Sequence, residues 1–576
     1  MKLIKYIAAA ALALASTSCM DLEPKAEMGD NMVWDSAENF QLFANQFYGW
    51  TADLGRFAND NPHSEYRSDL LCSRTVNPYS QGTNVAPASD KDNYNAFYKR
   101  IYYTNLLLKN AAAFGNQEAI KVPVAEAKFF RAYCHFELVQ RYGDVILLTE
   151  PLDIDSEKLY GPRDDRGTVI DQCIKDLREA AGGLPPTATK EGLLCADAAW
   201  AMLSRIALYE GTWQKFHNGG PTSVSTDQRA AKLLTEARDA AKKVIDNNNF
   251  ELFYSPVLGN QSYRYMFILE DVQCNPAGLT KKDNKEYILS HRRRLGDKFA
   301  QNITHALLTS GDVIMGTAKL ADMFLCDDGL PIDKSARFQG YSQPTSEYMN
   351  RDARMCNILL KHGTKYWDND SRWRTAWNET DEEGEKAFTA NAVGGSGYHL
   401  YKWASEREVE DYFESYDFPV IRYAEVLLNY AEAAFELDNQ ISDQDLNISL
   451  NLVRNRINPN MPKLSNTFAN THGLSMREEI RRERTIELFL EGFRIDDLKR
   501  WATASEEMSQ DQLGVKVRGT WFESNWAAAN GKLNADGRLV MYNDRGAWKT
   551  GKKLYLYPLP SDQRQLNPQL GQNPEW

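Results

Sequence analysis

Residues 118–142 read EAIKVPVAEAKFFRAYCHFELVQRY, and this stretch decides the fold. Ala125, Phe129, Ala132, Phe136 and Val139 recur at spacings of four and three, so one helix face is apolar while the other stays polar. Gly143 follows directly and ends the helix. The same period predicts helices over Asp35–Gly49, where Phe40, Phe43, Phe47 and Tyr48 supply the apolar face, and over Asp92–Ala113. Further along it predicts Val169–Ala181, Ala196–Tyr209, Gln228–Asp246, Ile421–Leu437, Gln444–Arg456, Met476–Leu490 and Arg494–Thr503.

Several of these helices form pairs joined by short turns, and Ala431, Ala433 and Ala434 beside Phe435 suit close helix–helix packing. Such pairs resemble the tetratricopeptide unit of two antiparallel helices, here with an irregular period. Between the helices lie segments of another character. Residues 54–89 are broken by Asn, Pro, Ser and Gly; 251–418 are rich in Gly, Asn, Asp, Tyr and Trp; 505–576 read as loops with short strands at Leu539–Tyr542 and Lys553–Tyr557. The expected fold is mainly α: a degenerate tetratricopeptide-like helical scaffold (about 35–250 and 419–504) with large loop-rich insertions (about 54–89 and 251–418), a C-terminal loop region at 505–576 and a few short strands. Helices from both halves of the chain must share a core, so 35–576 is expected to be a single unit.

The N-terminus predicts export. Lys2 and Lys5 precede an apolar run, Ile7–Ala15, and then Ser16-Thr17-Ser18-Cys19. A charged start, a short apolar run and small residues before a cut make residues 1–18 a signal peptide. The run is too short to span a bilayer, which takes about 20 residues. A Cys straight after the cut is the mark of a bacterial lipoprotein, so Cys19 is the expected lipidation site and 19–34 a leash. Loss of Lys2 and Lys5 takes the net charge from −12 to −14. So acidic a chain disfavours nucleic acid as a partner. The seven other cysteines are scattered and form no CxxC, the pattern of buried thiols.

Catalytic motifs are largely missing. The eight histidines (63, 135, 217, 291, 305, 362, 399 and 472) form no HExxH or His-x-His pair, and there is no GxSxG elbow. Gly546–Lys553, GAWKTGKK, fails as a phosphate loop because Lys553 replaces the hydroxyl that would hold Mg²⁺. Asp368-Asn369-Asp370 fails as a calcium loop at Arg372 and Trp373. No cofactor or metal is expected. Glu483, Glu487 and Glu491 recur every four residues on one helix face with Arg484 and Arg494 near the same arc. Two facing carboxylates would suit a glycosidase; carboxylates paired with arginines would instead lock the helix to its neighbours, and the nearby arginines favour this second reading. Loop aromatics remain as ligand candidates: Tyr66, Tyr79, Tyr341, Trp367, Trp373, Trp377, Trp521 and Trp526.

Six segments, in order along the chain, resemble the SusD/RagB family of outer-membrane nutrient-binding lipoproteins. They are the lipoprotein start with Asp21-Leu22-Glu23-Pro24; Phe97 to Asn105; Ala127 to Tyr133 with Tyr142-Gly143-Asp144-Val145; Ile421 to Ala433; Arg481 to Arg494 with Asp496 to Trp501; and Leu556 to Pro560 through Leu566-Asn567-Pro568 to Gln572-Asn573-Pro574. The resemblance implies a binding protein with no enzymatic activity, lipid-anchored and facing the cell exterior, that acts as the lid of a TonB-dependent SusC-like transporter. Most members take oligosaccharides and some take peptides. By position, the resemblance points to Arg67, Asp69, Asn77 and Tyr79 before the Phe97 helix as ligand residues. After the Tyr287-Ile288-Leu289 strand it points to His291, Arg292, Arg293, Phe299 and His305. The run Arg292-Arg293-Arg294 could grip a uronate or other anionic glycan, but a solvated arginine run or salt-bridge patch is the favoured reading.

Overall fold

The computed structural model describes residues 34–53, 65–72, 76–218, 228–294, 314–361, 364, 366–367, 373–374, 395–405, 413–525 and 531–576. Cys19, Phe299, His305 and the Asp368–Asp370 segment lie outside the described residues.

The scaffold is a stack of antiparallel helices: α1 (Ala37–Asn45), α2 (Tyr94–Ala113), α3 (Lys121–Tyr142), α4 (Arg166–Gly183), α5 (Ala196–Asn218), α6 (Gln228–Asn247), α7 (Tyr423–Asp438), α8 (Met476–Glu487) and α9 (Arg494–Arg500). From α2 to α6 each helix packs on the one before it, α7 continues the stack against α6, and α8 packs on α7. Local chemistry starts them where the sequence allows. Ser36 caps α1, Asp165 caps α4 through the Gly167 and Thr168 amides, and Ser475 caps α8. Gly143 ends α3 at φ +73°, and a Cβ there would stand 2.9 Å from Leu556 Cδ1. That glycine therefore lets the C-terminal segment lie against the helix end.

Among the described residues four two-stranded antiparallel sheets decorate the scaffold: β1 (Leu71–Cys72) with β3 (Met315–Gly316), β2 (Tyr287–His291) with β6 (Phe418–Arg422), β4 (Tyr366–Trp367) with β5 (Trp373–Arg374), and β7 (Gln512–Lys516) with β8 (Arg538–Tyr542). The β2–β6 ladder pairs Tyr287 with Arg422 and His291 with Phe418, and β6 runs straight into α7. The long insertion is thus hydrogen-bonded to the lead-in of a scaffold helix. One apolar cluster fills the helical stack and a second fills the insertion; α8 serves both, through Ile480 and Ile486 respectively.

Three sequence expectations need correction. Lys553–Tyr555 forms a 3-10 turn, not a strand, and Trp576 Nε1 donates to the carbonyls of Lys553 and Leu556 across it. The helix expected over Gln444–Arg456 breaks into Asp443–Asn447 and Leu450–Asn455 at Ser449, whose hydroxyl donates to the Asp445 carbonyl. The helix expected to reach Leu490 stops at Glu487. Its last carbonyls are taken by side chains from elsewhere: Tyr263 and Arg422 donate to Glu487 O, Lys402 to Phe489 O and Trp403 to Leu490 O. Those donors satisfy groups that a continuing helix would otherwise bond, and the chain turns away through Leu490 at φ +60°.

Six of the seven described cysteines are buried free thiols, and Cys356 is an exposed one. Among the described residues no helix is long and apolar enough to cross a membrane.

Candidate functional site

The segment after residue 64 is packed inward. Arg494 donates from Nε and Nη2 to the two Asp69 oxygens at 2.9 and 2.8 Å, and Lys319 Nζ stands 2.6 Å from the same carboxylate. Burial alone would raise that carboxyl, but these two cations hold it well below the usual carboxylate range. Asn77 caps the short helix 78–81 by accepting from the amides of Tyr79 and Ser80. Tyr79 donates to the Leu554 carbonyl, with its ring edge-on to Trp548 and Tyr557. Arg67 Nη1 donates to Tyr557 Oη at 2.6 Å, and its guanidinium lies 5.6 Å from both the Tyr79 and Tyr557 ring centres. All four positions singled out before the Phe97 helix are therefore engaged with the fold. A ligand would have to draw them from these partners.

The second zone is different. His291 closes β2, with Nδ1 3.3 Å from Thr51 Oγ1 and Nε2 3.9 Å from the Asp53 carboxylate. The arginine run does not form one patch. Arg293 is buried; its amide donates to Asp417 Oδ1 at 3.0 Å and its guanidinium holds Asp53. Arg292 is exposed and bridges two carboxylates, with Nη2 2.7 Å from Glu191 Oε2 and Nε 3.1 Å from Asp417 Oδ2. Lys281 Nζ donates to Asp417 Oδ1 and to the Arg293 carbonyl, each at 2.8 Å. Residues 51–53, 281, 290–293 and 415–418 are thereby tied into one knot at the end of the β2–β6 ladder.

Beside this knot opens a cavity of about 260 Å³. Part of its lining is apolar and partly aromatic: Phe250, Met266, Leu269, Tyr287 and Ile288. The polar lining includes Asn249, Asn284, Lys281, Lys282, Lys285 and Arg292, together with Glu191 and Asp417. Burial keeps Tyr287 well above its ordinary pKa, so it is a neutral phenol, and it donates to the Met266 carbonyl. Of the residues anticipated from sequence, Arg292 lines the cavity, while His291 and Arg293 are engaged with Thr51, Asp53 and Asp417. Asp53, Glu191, Lys281 and Asp417 were not anticipated. Each lies on a separate stretch, and no local spacing marks it.

The glutamate row Glu483, Glu487 and Glu491 is a buried ion network, with Glu491 beyond the end of α8 rather than on the same helix face. Arg422 sits at its centre: Nε meets Glu491 at 2.6 Å, Nη1 meets Glu286 and Glu487 at 2.7 Å each, and Nη2 donates to Glu491 Oε1 at 2.8 Å. Arg354 binds Glu483 and Glu487, Arg454 binds Glu483, Arg456 binds Glu286 and Glu487, and Lys402 binds Glu491. Burial pushes Glu487 up, yet Arg456, Arg422 and Arg354 together hold it far below the usual range. It cannot serve as a proton donor. The structural reading holds, with a correction: the partners are arginines far away in sequence, while nearby Arg484 pairs with Asp497 and Arg494 with Asp69. Among the described residues no group of three His, Cys, Asp or Glu side chains is placed to hold a metal ion.

Comparison with known proteins gives a consistent picture. A family model described as "SusD family" matches residues 285–576, and one described as "Starch-binding associating with outer membrane" matches residues 19–208. A SusD-like protein of Formosa agariphila, P38, is 22% identical over 509 residues, covering 85% of this chain and 89% of that protein. A second from the same organism, P25, is 29% identical over 149 residues, 25% of this chain and 28% of its own length. Among solved structures, a SusD-like protein of Bacteroides fragilis superposes with a TM-score of 0.69 at 21% identity, covering 95% of this chain and 99% of that one. A protein from the same species, described as a SusD-like carbohydrate binding protein, gives 0.69 at 22% identity, covering 93% and 99%.

Proposed function

The chain belongs to the SusD family, and from that premise we propose that it is an oligosaccharide-binding lipoprotein of the outer-membrane surface. It delivers its ligand to a TonB-dependent SusC-like barrel, over which it acts as a lid. The observation that carries the binding reading is the cavity beside the β2–β6 ladder. Its polar lining offers amides, ammonium groups and a guanidinium to sugar hydroxyls, and Tyr287 and Phe250 offer a flat apolar surface to a ring face. Arg292 makes the contact, with His291 and Arg293 flanking it in the chain. Contacts from Phe299 and His305 belong to the same proposal.

Cys19 carries the lipid. The "Starch-binding associating with outer membrane" match opens at that residue, which supports a mature chain beginning there. The leash keeps the lid at high effective concentration over the barrel while it swings. Ligand drives closure only by the margin with which it binds the closed state better. No turnover is assigned, because Glu483, Glu487 and Glu491 are consumed by arginines and Lys402.

The test is a glycan array followed by calorimetry on the mature chain, with membrane pull-down for the barrel. Oligosaccharide binding without release of reducing sugar is expected, together with co-purification of a TonB-dependent barrel. Cys19→Ala should bind the same glycans in solution yet fail to support uptake. Hydrolysis of the bound glycan, or normal uptake by the Cys19→Ala form, would overturn the reading.

A further inference from the structure

We propose that the cavity beside Arg292 selects an acidic sugar, a ring bearing a carboxylate or sulfate, with the anionic group placed on the Arg292 guanidinium. This rests on the oligosaccharide reading above and adds the ligand class to it.

The charge of the lining is the first argument. Arg292, Lys281, Lys282 and Lys285 face the cavity against Glu191 and Asp417, in a chain whose net charge is −12. Lys285 also stands 3.3 Å from Glu251, so the lining carries a small cation excess, against the overall field. Asp417 is buried and receives Lys281 Nζ, the Arg293 amide and Arg292 Nε, so it offsets part of the charge of Lys281 and Arg292, and Lys282 adds to what remains.

The second argument is how Arg292 is held. Asp417 and Glu191 fix its Nε and Nη2, so the planar fork is oriented before any ligand arrives. A guanidinium has five N–H donors, and a carboxylate or sulfate can take two of them side by side. The stem is seated as well. Gly192 has φ +83°, and a Cβ at that position would come within 2.4 Å of Arg292 Cγ. Only glycine lets the arginine lie flat across this turn. The third argument is the aromatic part of the same lining, where Tyr287 and Phe250 can hold the ring while its substituent reaches the cation. The volume, about 260 Å³, sits just below the usual range for small-molecule sites, which suits one or two rings of a longer chain.

The experiment is titration calorimetry of the mature chain with size-matched neutral, uronate-containing and sulfated oligosaccharides, at about 50 and about 300 mM salt, where screening differs strongly. Arg292→Met and Arg292→Lys are compared with the parent, each first shown to melt at the parent's temperature. At least one acidic oligosaccharide should bind about tenfold or more tighter than its neutral counterpart. Arg292→Met should remove that preference, Arg292→Lys should keep part of it, and salt should weaken only the acidic ligand. Equal affinity for neutral and acidic forms, or an unchanged acidic affinity in Arg292→Met, overturns the acid selectivity and leaves the oligosaccharide function standing. Failure of every oligosaccharide to bind overturns the function on which it rests.

Discussion

Replacing Arg422 with Met tests whether the helical scaffold and the long insertion are held together by charge. Arg422 is buried at the junction of β6 and α7, and its guanidinium reaches Glu286, Glu487 and Glu491 at once. Methionine preserves much of the stem's volume and removes the cation. Three consequences can be read from the geometry. Glu491 keeps only Lys402 at 2.7 Å among these cations; Glu487 keeps Arg354 and Arg456; and the Glu487 carbonyl loses the Arg422 donor at 2.7 Å while keeping Tyr263. Breaking a buried pair by removing one partner costs about 3–5 kcal/mol. The whole domain has only about 5–15 kcal/mol to lose. Urea unfolding followed by tryptophan fluorescence should therefore show a large drop in midpoint for Arg422→Met. Arg422→Met combined with Glu491→Gln should be less destabilised than the sum of the two single variants, by about 1 kcal/mol or more, since the carboxylate stranded by the first change is neutralised by the second. A single variant within about 1 kcal/mol of the parent, or strict additivity in the double, would refute the idea that the network acts as a joint.

Three other outcomes are expected. Burial raises the Glu65 carboxyl from 4.5 to about 8, so the folded chain keeps a proton that the unfolded chain releases. Its stabilising contribution is full below pH 4.5 and is lost as pH rises to about 8, on the order of 4–5 kcal/mol across the window. Glu65→Gln should then gain stability over the parent at pH 8 and match it near pH 4.5; an equal difference at both pH values would count against the shift. Asp69→Asn should cost about 3–5 kcal/mol by removing the carboxylate partner of buried Arg494, while Lys319 keeps Glu507, with glycan affinity of the folded protein unchanged; loss of affinity at unchanged stability would make Asp69 a ligand residue after all. Gly192→Ala should lose about 1–2 kcal/mol to its left-handed backbone, and should also lose the acidic-glycan preference because the new methyl displaces Arg292; melting and calorimetry measured together separate the two effects.

The helices were legible in the sequence because their signal is local. In 118–142 the period of the apolar residues and the terminal Gly143 lie within a few turns of one another, and α3 formed there with its end at Tyr142. The ladder of β2 with β6 was not, because its strands are separated by the whole insertion and their pairing is decided by backbone groups rather than by side-chain pattern. The three-arginine run shows the same limit at the site. As a sequence, Arg292-Arg293-Arg294 is one block of charge. In the fold, Arg293 is buried against Asp53 while Arg292 faces the cavity, and the difference is set by carboxylates at positions 53, 191 and 417. The sequence by itself determined the mainly helical scaffold and the charged row Glu483, Glu487 and Glu491, and it raised the expectation of acylation at Cys19. Only the tertiary structure decided which arginine meets which carboxylate. An ion pair is specified by a distance of a few ångströms in space, and nothing in the local order of residues records it.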